Sequence, residues 1–310
     1  MRSVFFGTPD FAVPSLRALV GEGFDVAAVV TQPDRPQGRS RSTRIPSPVK
    51  QVATDEGIDV LQPEQPNDPQ FLEELSALRP DIGIVVAYGH ILKPHILAVP
   101  TRGMVNVHAS LLPKLRGAAP IVHAILERLD TTGVSIMEMD AGMDTGPILH
   151  QVSTPIATDE TGGELTVRLA ELGALALIEA LALLTTNSAL RVQQDHHHAS
   201  YAPKISREMA RIRWEEPAER IGRQVRAFDP DPGAWTSLGR RDIKLFGPRL
   251  ADDWVTDDAP GQIIETDPAL VVTAGDGALQ FLDVQPAGKA RMSAVEWLRG
   301  RGATKAQRFG

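Results

Sequence analysis

Over the first 160 positions, short apolar runs alternate with stretches whose apolar residues have helical spacing. Residues 3–7, SVFFG, form an apolar run ending on Gly7. In the following TPDFAVPSLRALVGEG, Phe11, Leu16, Leu19 and Val20 recur at helical intervals, and Gly21 and Gly23 stop the pattern. A second run, DVAAVVTQ (25–32), is β-branched toward its end. A helical stretch SPVKQVATDEG follows, then DVLQP (59–63). DPQFLEELSALRP offers Asp68 as a cap and Phe71, Leu72 and Leu75 on one face. DIGIVVAYG (81–89) is continuously apolar, as a strand buried on both faces is, and GMVNVHAS is another such run.

Strands alternating with helices predict an α/β fold: a Rossmann-like, mostly parallel sheet with helices on both faces. Ligands bind such sheets beyond the carboxyl ends of the strands. Loops 7–10, 32–36, 88–92 and 109–113 therefore belong at one edge. GVSIMEMDAGMDTGPILHQVSTPI (133–156) reads as two apolar runs joined by a Gly-rich turn, a mixed-pairing extension of the sheet. A long helix is expected over about 160–184. Glu171 and Glu179 interrupt it, so it packs on a core and does not span a membrane.

The pattern changes near 185. TTNSALRVQQDHHHASYAPKIS is polar and lacks a period, which divides the chain into residues 1–184, a linker at 185–205, and residues 206–310. The last part is helical near 217–228 and then carries the short β-like runs AWTSL, RDIKLFGPRLA, GQIIETD and ALVVTAGDGALQFLDVQPAG. Gly-Asp-Gly is a hairpin signal, and MSAVEWLRG closes as a helix. These runs predict a smaller OB-type β-barrel domain.

Composition narrows the picture. A 310-residue chain with 42% apolar residues suits two domains with real cores. It has no cysteine, so disulfides, thiol nucleophiles and thiolate metal sites are excluded. The N-terminal apolar run is too short for a signal peptide or a membrane span, and a cytoplasmic protein with no membrane contact is expected. A net charge of −7 argues against a surface that coats nucleic acid. Against that background, residues 35–50 carry Arg35, Arg39, Arg41, Arg44 and Lys50 with no acid. Alone, that run is equally a solvated loop.

The candidate chemistry lies in MVNVHASLLPKLRGAAP (104–120). Asn106 and His108 are two apart on a strand and share a face near its end. An amide N–H can stabilise a carbonyl oxygen that gains charge, and an imidazole can donate to it or carry a proton. The pair suits addition to a carbonyl. No Ser or Cys elbow is present, so direct transfer to an external nucleophile is favoured over a covalent enzyme intermediate. MDAGMDTG offers Asp140 and Asp144 as partners for the imidazole. Asp144, between Gly142 and Gly146, is the better candidate because the backbone there can approach a ligand closely. Taken singly, a strand-end Asn, an interior His and a turn Asp remain open alternatives. GTPDF lacks the G-x-G-x-x-G and Walker A patterns of nucleotide sites. His196, His197 and His198 are adjacent and not spaced for one metal, so no metal is expected.

NVHASLLPKLRGAAPI, GVSIMEMDAGMDTGPIL and GTPDFA resemble the folate-dependent formyltransferases. The resemblance implies that Asn106, His108 and Asp144 are catalytic and that 10-formyltetrahydrofolate is the donor. It implies that Ser110, Leu111, Leu112 and Pro113 line the folate cleft, with Tyr88, Gly89, Ile91 and Leu92 nearby. TQPDRPQGR with PSPVK, LRGAAPI, YAPKIS and QPAGKARMS are similar to the branch of that family that formylates initiator methionyl-tRNA, and the likeness runs from residue 3 to about 298. It implies that Arg35, Arg39, Arg41 and Arg44 meet the tRNA acceptor stem. Lys204 and Arg207, in helical spacing with Arg211, would form a platform with Lys289 and Arg291. A monomer is expected. Two positions depart from the family pattern: Leu115 and Asp231 stand where tryptophan is usual. An enzyme formylating a small amine would share the first domain but need neither the Arg loop nor this second domain. A non-catalytic RNA-binding module would not need the trio.

Overall fold

The computed structural model describes residues 1–37, 43–251 and 258–310. The chain begins with β1 (Arg2–Gly7), α1 (Val13–Gly21), β2 (Asp25–Val30), β3 (Arg35–Gln37), β4 (Thr43–Ile45), α2 (Pro48–Asp55) and β5 (Val60–Leu61). It continues through α3 (Pro69–Ala77), β6 (Ile82–Val86), α4 (Pro94–Leu97), β7 (Met104–His108), α5 (Pro120–Leu126), β8 (Thr131–Glu138), β9 (Ile148–Pro155) and α6 (Gly162–Thr185). The remainder is α7 (Ala218–Ala227), β10 (Trp235–Leu238), β11 (Arg241–Leu250), β12 (Ile263–Glu265), β13 (Leu270–Thr273), β14 (Ala278–Pro286), β15 (Met292–Ser293) and α8 (Ala294–Arg299). Contacts divide these elements into two compact units.

The first unit holds Met1–Pro120, Thr131–Pro155 and Thr166–Ala202. Its sheet has the order β5-β2-β1-β6-β7-β8-β9. The first five strands pair in parallel, and β8 and β9 are antiparallel additions, as the sequence pattern predicts. Every residue of β6 is buried, which is why its sequence has no polar alternation. Val4, Phe6, Val85 and Met104 pack one sheet face against Phe71 and Leu75 of α3 and Ile96 of α4. On the other face α6 comes close at Gly173, where a Cβ would lie 2.9 Å from Val107. Helices thus cover both faces. Asn106 and His108 stand two and four residues after Met104 on the strand and share its face, so they project on the α3–α4 side.

Helix starts follow local chemistry. Asp68 accepts from the Gln70 N–H at 3.0 Å and Ser47 from the Lys50 N–H at 3.1 Å, with proline at the first helical position of each. Part of the basic segment is an antiparallel β3–β4 ladder, Arg35 to Ile45 and Pro36 to Arg44. Arg39 and Arg41 lie outside the described residues. The polar stretch after α6 is fastened to this unit. Val192 and Ile148 exchange two backbone hydrogen bonds of 2.9 Å, and Tyr201 bridges Arg116.

The second unit holds Ile121–Asp130, Ile156–Leu165 and Pro203–Gly310. Its antiparallel sheet has the order β10-β11-β14-β13-β12, with β15 on β14, and it is curled as in OB-type folds. The last residues bridge both edges, Phe309 to Leu238 and Arg308 to Gln262. Trp214 stacks on Phe309 at 5.7 Å and meets Phe281 edge-on at 5.9 Å in the core. Val122 and Leu126 of α5 pack on that core, which explains why Ile121–Asp130 belongs here. The Gly-Asp-Gly hairpin closes with a 2.7 Å bond from Ala274 N–H to Gly277 O. Residues 204–211 are not a helix. They hold one three-residue turn, Glu208–Ala210, and Arg207 and Arg211 converge because both guanidiniums cover the Trp235 ring, at 4.8 and 5.5 Å. No helix among the described residues is long and apolar enough to cross a membrane.

Candidate active site

Loops after β1, β2 and β6 are tied at the carboxyl edge of the first unit's sheet. The Tyr88 carbonyl accepts from the Thr8 hydroxyl at 3.0 Å and the Gln32 amide at 3.1 Å. Gly89 follows with φ +86°, a left-handed conformation that favours glycine, and a Cβ there would displace the Gln32 amide that lies 2.4 Å from it. The Tyr88 ring packs edge-on against Phe6 at 5.6 Å. Its hydroxyl is buried without a partner among the described residues, and burial pushes the phenol up to about 12.

One strand further, β7 ends at His108. Its Nε2 lies 3.0 Å from the Leu115 carbonyl oxygen. A carbonyl only accepts, so the network assigns the proton to Nε2 and leaves Nδ1 as the open ring nitrogen. Nδ1 faces Asp144 Oδ2 at 3.7 Å. The same oxygen accepts the Gly117 N–H at 2.8 Å. The ring is 5% exposed and the carboxylate 19%, so the pair is largely removed from water. Asn106 is half-buried on the same strand face, and its amide has no hydrogen-bond partner among the described residues.

The turn between His108 and α5 is rigidly held. The Ser110 hydroxyl donates to Lys114 O at 2.6 Å, and Ser135 donates to Ser110 O at 2.6 Å and accepts from Leu112 N–H at 3.0 Å. Leu115 adopts φ +58°, which turns its carbonyl toward the imidazole. Asp144 is also left-handed, at φ +53°. A carboxylate at that turn is tolerated because short polar side chains accept this conformation better than others.

The positions named from the sequence thus divide. His108 and Asp144 are brought together, and Asn106 shares their strand face. Tyr88, Leu92, Ser110 and Leu112 are buried, whereas Gly89 and Ile91 are exposed, Ile91 at 84%, and Leu111 and Pro113 are half-buried. Arg35, Arg44, Lys204 and Lys289 are exposed. Arg207 pairs with Asp242, and Arg291 lies over Phe246 and pairs with Asp229 at 2.7 Å and Asp283 at 2.9 Å. His196 and His198 serve separate partners, Arg116 and Asp195, and no metal-ligating cluster occurs among the described residues. Sequence reasoning missed the Leu115 carbonyl and the Gly117 N–H. Both are backbone groups, and the only signal for them is the Pro-flanked, Gly-containing turn directly after His108.

A parallel sheet whose carboxyl edge gathers an amide, an imidazole and a carboxylate, joined to an OB-type unit, matches one family along both parts. Residues 1–181 match formyl transferase and residues 204–302 match the formyl transferase C-terminal domain; the chain belongs to the formyl transferase family. A Moorella thermoacetica protein named methionyl-tRNA formyltransferase is 46% identical over 301 residues, covering 97% of this chain and 96% of its own. WlaRD, a sugar 3N-formyl transferase solved in the presence of dTDP and 5-N-formyl-THF, has the same fold: TM-score 0.69, 20% identity, 94% of this chain and 99% of its own. HypX from Aquifex aeolicus, solved with tetrahydrofolic acid, gives a TM-score of 0.66 at 17% identity over 96% of this chain, which spans about half (47%) of HypX.

Proposed function

We propose that this protein transfers a formyl group from 10-formyltetrahydrofolate to the amino group of methionine on initiator methionyl-tRNA, and that Asn106, His108 and Asp144 carry the step. The observation that supports this most directly is the approach of His108 Nδ1 to Asp144 Oδ2, 3.7 Å, on the strand face that Asn106 shares. The near full-length identity to methionyl-tRNA formyltransferases supports the acceptor.

As the amine adds, negative charge grows on the formyl oxygen and positive charge on the nitrogen. The unpartnered Asn106 amide donates to that oxygen. His108 takes the amine proton at Nδ1, since Nε2–H is committed to Leu115 O. Asp144 stabilises the cationic ring at 3.7 Å while the Gly117 N–H holds its oxygen in place. The folate donor supplies the activated formyl group: as the adduct collapses, the bond between the formyl carbon and the folate nitrogen breaks, and His108 Nδ1 returns its proton to that departing nitrogen. The edge beside Tyr88 suits a flat heterocycle: the exposed Gly89 leaves its backbone open to one, and Ile91 offers an exposed apolar face.

For the tRNA, Arg35 and Arg44 of the β3–β4 ladder, with Arg39 and Arg41, meet the acceptor stem through phosphates. In the second unit Lys204 and Lys289 are exposed cations, and Arg207 presents its guanidinium on Trp235. Arg291 is held by two carboxylates and contributes less charge to a ligand. Formyl transfer to charged initiator tRNA, compared with uncharged tRNA and with small amines, tests the reading. Transfer restricted to the charged tRNA is expected; equal transfer to a small amine would overturn the acceptor assignment.

A further inference from the structure

Arg116 is 2% exposed, yet no carboxylate among the described residues lies within ion-pair reach of it. A buried guanidinium without a counter-charge is costly unless its donors are taken up. Here the partners are neutral. Nε and Nη2 donate to Gln194 Oε1 at 3.1 and 2.6 Å, and Nη2 also meets His196 Nδ1 at 3.1 Å. Gln194, itself buried, uses its other end as well. Its amide donates to Asp144 O at 2.9 Å and to Gly146 O at 2.7 Å.

That arrangement connects the guanidinium to both sides of the imidazole. Residues 115–117 carry the Leu115 carbonyl, the Arg116 side chain and the Gly117 N–H in sequence. The first fixes His108 Nε2, and the last fixes Asp144 Oδ2. The segment is itself anchored: Leu115 N–H donates to the Ser200 hydroxyl at 2.9 Å, Arg116 N–H to Ser200 O at 2.8 Å, and Ala202 N–H to Arg116 O at 2.7 Å. The left-handed Asp144 turn has no such backbone anchor to 115–117 apart from the Gly117 bond. Gln194 supplies the missing tie.

We propose that Arg116 and Gln194 are positioning residues for formyl transfer: through the Gln194 amide, the buried guanidinium fixes the Asp144 turn and with it the separation between the carboxylate and His108 Nδ1. This rests on the formyl-transfer reading. Neither side chain touches the reacting atoms. Gln194 works only as an amide, because it must accept from Arg116 and donate to two carbonyls at once.

The decisive variant is Gln194→Glu. A carboxylate still accepts from Arg116, now as an ion pair, but cannot donate to Asp144 O or Gly146 O. The expected result is a kcat lowered about ten- to hundredfold with KM for the folate donor nearly unchanged and a moderate fall in melting temperature, since two carbonyls lose their donor and small displacements of a catalytic group have effects of that order. Arg116→Lys, which keeps the charge and loses the fork, should give the same split. Arg116→Ala should recover activity several-fold with millimolar guanidinium but not with ammonium. A second readout needs no substrate. In full-length protein labelled with 15N-histidine, the His108 ring resonances should shift in Gln194→Glu relative to wild type. An inactive wild type whose His108 signals still respond would reject the formyl-transfer reading and keep the positioning role. Unmoved signals with kcat within threefold of wild type would overturn the proposal. So would a parallel loss of kcat, KM and melting temperature in Gln194→Glu and Arg116→Lys without guanidinium rescue in Arg116→Ala.

Discussion

Replacing Asp144 with asparagine isolates the charge of the carboxylate from its shape. Asparagine tolerates φ +53° as aspartate does, and its amide oxygen can keep the 2.8 Å bond from the Gly117 N–H. What is lost is a negative charge 3.7 Å from His108 Nδ1. Two unit charges at that separation attract by about 4.5 kcal/mol at an effective dielectric near 20, and by about 1 kcal/mol in bulk water. With the ring 5% and the carboxylate 19% exposed, the site is closer to the first limit. Removing the charge as the ring takes up a proton should then cost about 2–4 kcal/mol of barrier height, or roughly thirty- to a thousandfold in kcat. The assay is steady-state formylation of charged initiator tRNA with saturating folate donor, alongside a thermal melt. A melting temperature within a few degrees of wild type and the stated loss of kcat are expected. An intact fold with kcat within threefold of wild type would refute the electrostatic role given to Asp144.

Asn106→Ala should lower kcat about a hundredfold, near 3 kcal/mol, with little effect on folding or on folate and tRNA affinity, because its amide has no protein partner to leave unpaired; equal losses in binding and turnover would mean that Asn106 is structural. Tyr88→Phe removes a buried hydroxyl that has no partner, so the melting temperature should hold or rise, by up to about 1 kcal/mol in stability; a clear fall, or a higher KM for folate, would show that the hydroxyl is used. Hydrogen bonds from Lys50 and then Gln62 hold the Asp34 carboxyl below its ordinary range. Because the folded value is lowered, the stabilisation is complete above the unfolded carboxylate value, about 4, and is lost as pH falls through the folded one. The gap in melting temperature between wild type and Asp34→Asn should therefore close as pH drops from about 5 toward 3, and a gap independent of pH in that window would contradict the assignment.

Much of the scaffold was legible because it rests on local periodicity. A run such as Ile82–Val86, short, β-branched and with no polar alternation, reads as a strand covered on both sides, and the five parallel strands follow from such runs alternating with capped helices. Asn106 and His108 were equally visible, since two-residue spacing at a strand end fixes a shared face. Residues 185–205 were opaque. Their polar composition reads as a linker, but Val192 and Tyr201 hold to the first unit through backbone bonds, which leave no trace in side-chain pattern. The helical spacing of Lys204, Arg207 and Arg211 misled for a related reason: the segment is not helical, and Arg207 and Arg211 gather over Trp235.

By itself, then, the sequence determined the α/β class, the antiparallel extension, the curled second sheet and the strand that carries the amide and imidazole. Each of these is legible from the local pattern of apolar, polar and turn residues, although the strands pair over long distances in the chain. Only the tertiary structure decided which nitrogen of His108 is open, that the Leu115 carbonyl and Gly117 N–H flank the His108–Asp144 pair, and that Arg116 and Gln194 brace it. Those contacts join backbone groups and side chains up to 78 positions apart, and their strength depends on burial that no local pattern records.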